Sequence, residues 1–447
     1  MARPPRAAFV TLLASALCFG LAGGAGAVPA VVEAAPPVLT PAAAEGAAPT
    51  TKGVQQVLAG VLADPSLGKH RGVYVYDVSR DKLVFSTGTA TPYTPASTLK
   101  LLTTVSALAT LGSEHRFTTK VVSAGKGSIV LVGGGDPLLT SKPSQSAGYP
   151  TRATLAALAA STAKALKAQG VTSVTLGYDA SLFTGPAGNA RWESNYLPEG
   201  IAARTSALWV DEGRVSSGMA KRATSPAAAA TAVFAKLLAA NGVKVAGIAK
   251  PKVAPAGAQQ LAKVLSPTVG QIVEYVNLHS DNDGAEVLLR HVGIETKNGG
   301  SYVGGVTGVE ETLSKLGLDV GKAQIFDGSG LTRTNKVPLD LLAGAVRVAA
   351  SKEHPELRHL LTGLPIAGFN GSLEKRFIGA SAAAGTGLVR AKTGTLTGVH
   401  SLAGIVRTRS GTVLAFAVAS DSVPVPKTLD ARAALDRAAA ALANCGC

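Results

Sequence analysis

Aromatic residues are scarce in this chain, at 4% of its 447 positions. Few flat side chains are left on which nucleobases could stack, which argues against a nucleic-acid binder. Cysteine is nearly absent. Of the three present, Cys18 lies in an apolar N-terminal run, and Cys445 and Cys447 lie at the extreme C-terminus. That excludes a disulfide scaffold. Two cysteines with one residue between them leave a strained bridge, free thiols or a link to another chain, and no further metal ligands lie near them in sequence. The seven histidines (70, 115, 279, 291, 354, 359 and 400) form no H-x-x-x-H pair and no H-E-x-x-H, so a zinc hydrolase is not indicated. No G-x-S-x-G elbow of an α/β-hydrolase occurs, and no G-x-x-x-x-G-K-[ST] nucleotide loop. No cofactor and no metal are expected. Acidic residues are outnumbered, 28 against 43 basic, for a formal charge of +15. The basic residues are scattered, so the charge favours anionic partners in general and names none.

Hydrophobic residues reach 46%, and the length allows two to three domains with a sizeable core. Arg3 and Arg6 precede an apolar run from Ala7 to Ala22 and a small-residue stretch ending at Ala27. This reads as a secretory signal peptide over residues 1–27. The run is short for a spanning helix, and no other segment is long and apolar enough. The expectation is an exported protein, periplasmic or extracellular, with no transmembrane span after cleavage. Residues 28–52 are Ala- and Pro-rich and read as a tether; residues 444–447 are a tail.

Residues 72–87 alternate as a hairpin around Ser79-Arg80-Asp81. Thr94-Pro95-Ala96-Ser97 follows, and Leu101, Val105 and Leu108 recur at helical spacing until Gly112. Ser97 therefore falls at or near a helix N-terminus. Residues 113–259 differ in character. They hold Gly133-Gly134-Gly135-Asp136-Pro137, Ala-rich helices near 151–169 and 226–240, and short strands such as 171–176; we read them as an inserted accessory region. Ser266 as N-cap and Pro267 as first residue signal a further helix, which runs into His279-Ser280-Asp281-Asn282 and a second helix over 285–291. Strands are expected over 388–392 leading into Thr393-Gly394-Thr395, then over 400–407 and 412–419, before a last helix at 429–443. Both ends of the chain thus contribute strands to one sheet. The fold class is α+β, an antiparallel sheet with helices on both faces, built from 53–112 and 260–443.

Three short motifs occur in order: Ser97-Thr98-Leu99-Lys100, Ser280-Asp281-Asn282 and Lys392-Thr393-Gly394. The S-x-x-K pattern alone says little, because it begins at Ser66, Ser79, Ser97, Ser123, Ser161 and Ser372. S-x-N and K-[ST]-G each occur once. Of the copies before Ser280, only Ser97 follows a hairpin and opens an apolar helix. Residues three apart share a helix face, so Lys100 can reach the Ser97 hydroxyl. Buried beside other cations, a lysine gives up its proton more easily and could act as general base. Ser280 could relay a proton to a leaving amine, and the Asn282 amide could hold a substrate carbonyl, with Asp281 pointing away. Lys392, Thr393 and Thr395 offer charge and hydroxyls to a substrate carboxylate. Gly394 removes a side chain where substrate would lie on the strand. The backbone N–H groups of Ser97 and Thr395 are candidates for an oxyanion hole. Asp136 is a further candidate, an acid on the insertion that could hold a substrate amine.

These motifs characterise penicillin-binding proteins and class A β-lactamases. The chain resembles the S13 family of D-alanyl-D-alanine carboxypeptidase/endopeptidases, the low-molecular-mass class C penicillin-binding proteins, over roughly residues 53–443. The 183 residues from Ser97 to Ser280, far more than in class A β-lactamases, match the family's large insertion. Leu131 to Pro137, Ala285-Glu286, Asp327-Gly328-Ser329-Gly330-Leu331 and Ala391 to Leu396 resemble the family as well. The resemblance implies a serine β-lactamase/DD-peptidase-like fold. It implies an exported, wall-associated carboxypeptidase that removes the terminal D-alanine of peptidoglycan stem peptides and sometimes cuts cross-links, with β-lactams as inhibitors. It assigns the acylated serine, base lysine, second serine, asparagine and strand lysine to Ser97, Lys100, Ser280, Asn282 and Lys392. Two other readings compete: a β-lactamase, for which no E-x-x-x-N loop follows Ser280, and a non-catalytic wall-binding or penicillin-sensing protein. Asp283-Gly284 departs from the pattern after the second motif.

Overall fold

The computed structural model describes residues 48–143, 148–216 and 219–446. The expected signal peptide, the tether up to residue 47 and Cys447 lie outside the described residues. Helix α1 (Thr51–Leu62) opens the described chain, N-capped by Thr50. The hairpin β1 (Arg71–Asp77) and β2 (Lys82–Thr87) follows, then α2 (Lys100–Leu111). The middle of the chain forms β3 (Thr118–Ser123), β4 (Ser128–Val132), α3 (Leu155–Ala168), β5 (Ser173–Asp179), α4 (Pro226–Ala240), β6 (Lys244–Val245), β7 (Lys250–Pro251) and β8 (Gln260–Leu265). Helices α5 (Val269–His279), α6 (Asn282–Glu295), α7 (Tyr302–Lys315), α8 (Leu339–Ala350) and the short α9 (His359–Thr362) come next. Strands β9 (Val389–Leu396), β10 (Val399–Arg407) and β11 (Val413–Ser420) and helix α10 (Thr428–Ala443) end the fold.

The fold is α+β. One sheet has the order β2-β1-β11-β10-β9, antiparallel throughout. Strand β11 shows why it is covered twice. Its side chains alternate across the sheet, so Leu414, Phe416 and Val418 join a core with α1 and α10, while Ala415, Ala417 and Ala419 join a core with α2, α5, α6, α7 and α8. The small alanines let α8 lie close on that face. A second sheet, β6-β5-β4-β3-β8 with β7 beside β5, mixes parallel and antiparallel pairs and packs α3 and α4 around Leu131, Leu158, Phe234 and Leu238.

Two expectations shift. Strand β8 pairs with β3 from Thr118↔Leu265 onward, so the chain leaves the second sheet after residue 265, not 259. Ser266 does not cap the next helix. Its hydroxyl accepts the Phe117 N–H at 2.9 Å, and Thr268 caps α5 in a capping box with Gln271.

Candidate active site

Ser97 lies in a 3-10 turn, Ala96–Leu99, that runs directly into α2. Residues i and i+3 eclipse in such a turn, which sets Lys100 over Ser97 more directly than an α-helix would. The turn is pinned from below. Thr98 Oγ1 and Ser401 Oγ both donate to Pro95 O, at 2.7 and 2.6 Å. Ala96 adopts a left-handed φ of 46°, a conformation unfavourable for a residue with a Cβ. Gly394 explains part of the fit: a Cβ there would stand 2.5 Å from Pro95 O and 2.1 Å from Ser401 Oγ. The missing Cβ thus lets β9 approach the turn that carries Ser97.

Lys100 is 0% exposed. Its Nζ lies 3.0 Å from Ser97 Oγ, 2.8 Å from Asn282 Oδ1 and 2.7 Å from Ser329 O. Burial pushes its pKa down to about 8, against the opposing pull of Glu286, Asp281, Asp327 and Asp283. Four carboxylates act on Lys100 beside the one expected cation, Lys392, and burial is the largest cause of the lowering. The Asp327–Leu331 segment is a loop whose carbonyl serves Lys100. Glu286 accepts the Gly328 and Ser329 N–H groups at 2.9 and 2.8 Å, and Asp327 accepts those of Gly330 and Thr332 at 3.0 and 2.7 Å. A Cβ at Gly330, φ 83°, would meet Ala96 O at 1.9 Å, so this loop packs against the Ser97 turn.

Helix α5 ends at Ser280, itself left-handed (φ 56°), and Asp281 caps α6 by accepting the Asp283 N–H at 3.0 Å. Asp281 thus serves the start of α6. Asn282 Nδ2 donates to Ile201 O of the insertion at 3.0 Å. Lys392, also 0% exposed, donates to Ser280 Oγ at 2.8 Å and Thr393 O at 3.0 Å. Burial, then the charge of Lys100, holds its pKa well below the usual lysine value. Thr393 Oγ1 donates to Ser372 Oγ at 2.8 Å, and Thr395 is exposed. Ala391 N–H donates outward from the sheet to Pro365 O; by the two-residue repeat of a strand, the Thr393 and Thr395 N–H groups face the same outer edge.

Direct hydrogen bonds thus join Ser97, Lys100 and Asn282 in one set and Ser280 and Lys392 in another, with Thr393, Gly394 and Thr395 on the adjoining edge strand. Asp136 is part of neither set. It is 2% exposed, its Oδ1 accepts the Leu138 N–H at 2.8 Å, and burial pushes its pKa up to about 7. It is a turn aspartate closed off from a substrate amine. Ser329, Glu286, Ile201 and Ser372 had no assigned role in the sequence reading. Glu286 and Ser329 lie in stretches that resembled the S13 family; Ile201 and Ser372 carried no such signal. Cys445 is disulfide-bonded; Cys18 and Cys447 lie outside the described residues.

The family model for the D-Ala-D-Ala carboxypeptidase 3 (S13) family matches residues 54–224 and 216–442. A carboxypeptidase of Mycobacterium tuberculosis is 36% identical over 417 residues, covering 92% of this chain and 87% of its own. The carboxypeptidase DacB of Mycolicibacterium smegmatis is 34% identical over 431 residues, covering 93% and 91%. Among solved structures, penicillin binding protein 4 of Haemophilus influenzae superposes with a TM-score of 0.70 at 22% identity, covering 85% of this chain and 98% of that one.

Proposed function

The chain belongs to the D-Ala-D-Ala carboxypeptidase 3 (S13) family and is a serine-type D-Ala-D-Ala carboxypeptidase, and from that premise we propose that Ser97 is the residue acylated and Lys100 its general base. One observation carries this: the three partners of Lys100 Nζ. A neutral amine has two N–H groups and one lone pair. Ser329 O and Asn282 Oδ1 can only accept, so they take the two N–H groups. The lone pair is left facing the Ser97 hydroxyl. With a pKa of about 8, about a tenth of Lys100 is neutral at pH 7.

The substrate peptide lies along the outer edge of β9 as an added strand. Its terminal carboxylate meets Lys392 and the hydroxyls of Thr393 and Thr395, and the second N–H of Asn282 Nδ2 reaches a peptide carbonyl. Ser97 Oγ attacks the carbonyl carbon of the penultimate D-alanine as its proton passes to Lys100. The Ser97 and Thr395 N–H groups hold the oxyanion. The C–N bond breaks, and the leaving amine takes a proton by way of Ser280, which Lys392 orients. Water, activated by Lys100, then attacks the ester, Ser97 regains its proton and the shortened peptide leaves. A D-alanyl cross-link contains the same scissile amide. The composition of residues 1–27 supports export, with peptidoglycan stem peptides as substrates and β-lactams as acylating inhibitors. No helix among the described residues is long and apolar enough to cross a membrane. We take the catalytic region as 53–112 with 266–443, and 113–265 as the insertion.

A fluorescent penicillin should label the wild type covalently and leave Ser97→Ala unlabelled, and only the wild type should release D-alanine from wall peptides. No label on the wild type, or equal labelling of Ser97→Ala, overturns the reading.

A further inference from the structure

Asp283, directly after the second motif, is 4% exposed. Its Oδ1 accepts the Ala203 N–H at 2.7 Å, and its Oδ2 accepts from Arg222 Nη2 at 3.0 Å. Arg222 in turn donates to Glu212 O at 3.1 Å and stands 3.6 Å from the Glu212 carboxylate. The two insertion stretches that meet on Asp283 also press on each other, since a Cβ at Gly200 would lie 2.0 Å from Ala220 O. Ile201 sits between these anchors, and its carbonyl takes the Asn282 Nδ2 proton. Asn282 is thus hydrogen-bonded both to the insertion and to the catalytic lysine.

The orientation of that amide matters. As it stands, Oδ1 accepts from Lys100 Nζ. Turned by half a rotation, it would present Nδ2, a donor only. A neutral Lys100 would then spend its lone pair on Nδ2 and withdraw it from Ser97. Ile201 O blocks this turn, because it accepts from Nδ2 and would face Oδ1 otherwise.

We propose that Asp283 is a positioning residue for the reaction: by fixing residues 201–203 against the start of α6, it fixes the Ile201 carbonyl, hence the Asn282 amide, hence the lone pair of Lys100 on Ser97. The inference rests on Lys100 as base. It assigns part of the insertion to the chemistry, through a residue at which the chain departs from the expected motif.

The test measures the second-order rate of acylation by fluorescent penicillin against pH, on the full chain, beside thermal melts. Asp283→Ala should lower the high-pH plateau at least about tenfold per folded molecule, a part of the ~10²–10⁴ that a general base contributes. Asp283→Asn keeps an acceptor for Ala203 but not the charge facing Arg222, and should fall between. In both, the acidic limb should move to lower pH, because a carboxylate that raises the Lys100 pKa is gone. Phe234→Ala, in the insertion core, should lower Tm and move neither plateau nor limb. A wild-type plateau in Asp283→Ala, or a loss that only follows Tm as in Phe234→Ala, overturns the inference. If Asp283→Ala does not fold, Asp283→Asn and Arg222→Gln decide by the same criteria. Normal labelling of Lys100→Ala would remove the underlying reading; normal labelling of Asp283→Ala beside a dead Lys100→Ala removes only this inference.

Discussion

Lys100 on α2 and Lys392 on the edge strand β9 both have 0% of their surface exposed, and burial lowers the pKa of both. Their surroundings differ. Around Lys100 stand Glu286, Asp281, Asp327 and Asp283, which offset much of the burial and hold the amine near 8, where it can both keep and release a proton close to neutral pH. Among the described residues no carboxylate offsets the burial of Lys392. Its partners are a hydroxyl and a carbonyl, and the nearest charge it feels is another cation. A buried ammonium without a counter-charge is costly. The contrast teaches a division of labour: one lysine carries its acidic environment within the fold, while the other waits for an anion that the substrate brings.

Removing each lysine gives the largest separation of the two. Lys100→Ala should lower acylation by roughly 10²–10⁴, equally for a peptide ending in a free carboxylate and for the same peptide amidated. Lys392→Ala should depress kcat/KM for the free-carboxylate peptide, by about tenfold or more given the strength of charge-assisted hydrogen bonds, and change the amidated peptide far less. Parallel kinetics on the two peptides check this. Equal losses on both in Lys392→Ala would break the comparison.

A smaller effect tests the acidic surroundings of Lys100. The base form of Lys100 grows as pH rises, so kcat/KM should climb toward a limb near pH 8. Glu286 leads the groups that raise this pKa, and burial pushes its own carboxyl up to about 8. Glu286 is charged in only about half of the molecules at pH 8, so Glu286→Gln removes a charge that is partly present at the limb; the lysine pKa falls and the limb moves to lower pH, by roughly a few tenths of a unit. A pH–rate profile beside the wild type reads it. A limb that stays in place would mean that burial alone sets Lys100.

Much of this site was legible in the sequence because its parts are local. Ser97 and Lys100 are three residues apart, Ser280 and Asn282 two, and Lys392 to Thr395 form one strand; short spacings fix such geometry. The order of motifs and the hairpin before Ser97 were enough to discard the other S-x-x-K copies. What remained hidden depends on long-range contacts. Nothing in the composition near Ser97 announces that Ser329 O, 229 residues beyond Lys100, will accept its proton donor. Nor could spacing tell that the missing Cβ of Gly394 serves the Ser97 turn, or that Asp136 would be sealed into a turn. The cap of α5 was misread for the same reason: Ser266 is the better cap by type, but its hydroxyl is taken by Phe117 of a distant segment, which leaves the cap to Thr268. The boundary near 260 was missed because β8 pairs with a strand some 140 residues earlier.

The finest test falls on Ser372, an S-x-x-K copy set aside by its position and found beside the third motif. Its Oγ accepts the Thr393 hydroxyl at 2.8 Å in an exposed setting. If Thr393 turns toward a substrate carboxylate, Ser372 helps to hold that threonine in the rotamer that does so. The pair is exposed, so one such hydrogen bond contributes at the low end of about 0.5–1.5 kcal/mol. Ser372→Ala should therefore raise KM about two- to threefold for the free-carboxylate peptide and leave kcat unchanged. The amidated peptide should be unaffected, since its loss at the Lys392 side is already complete. Lys100 has no bond to Ser372, so the acidic limb should stay where it is. A fall in kcat, or a shift of that limb, would mean that the strand side also governs proton transfer, and the division between the two lysines would fail.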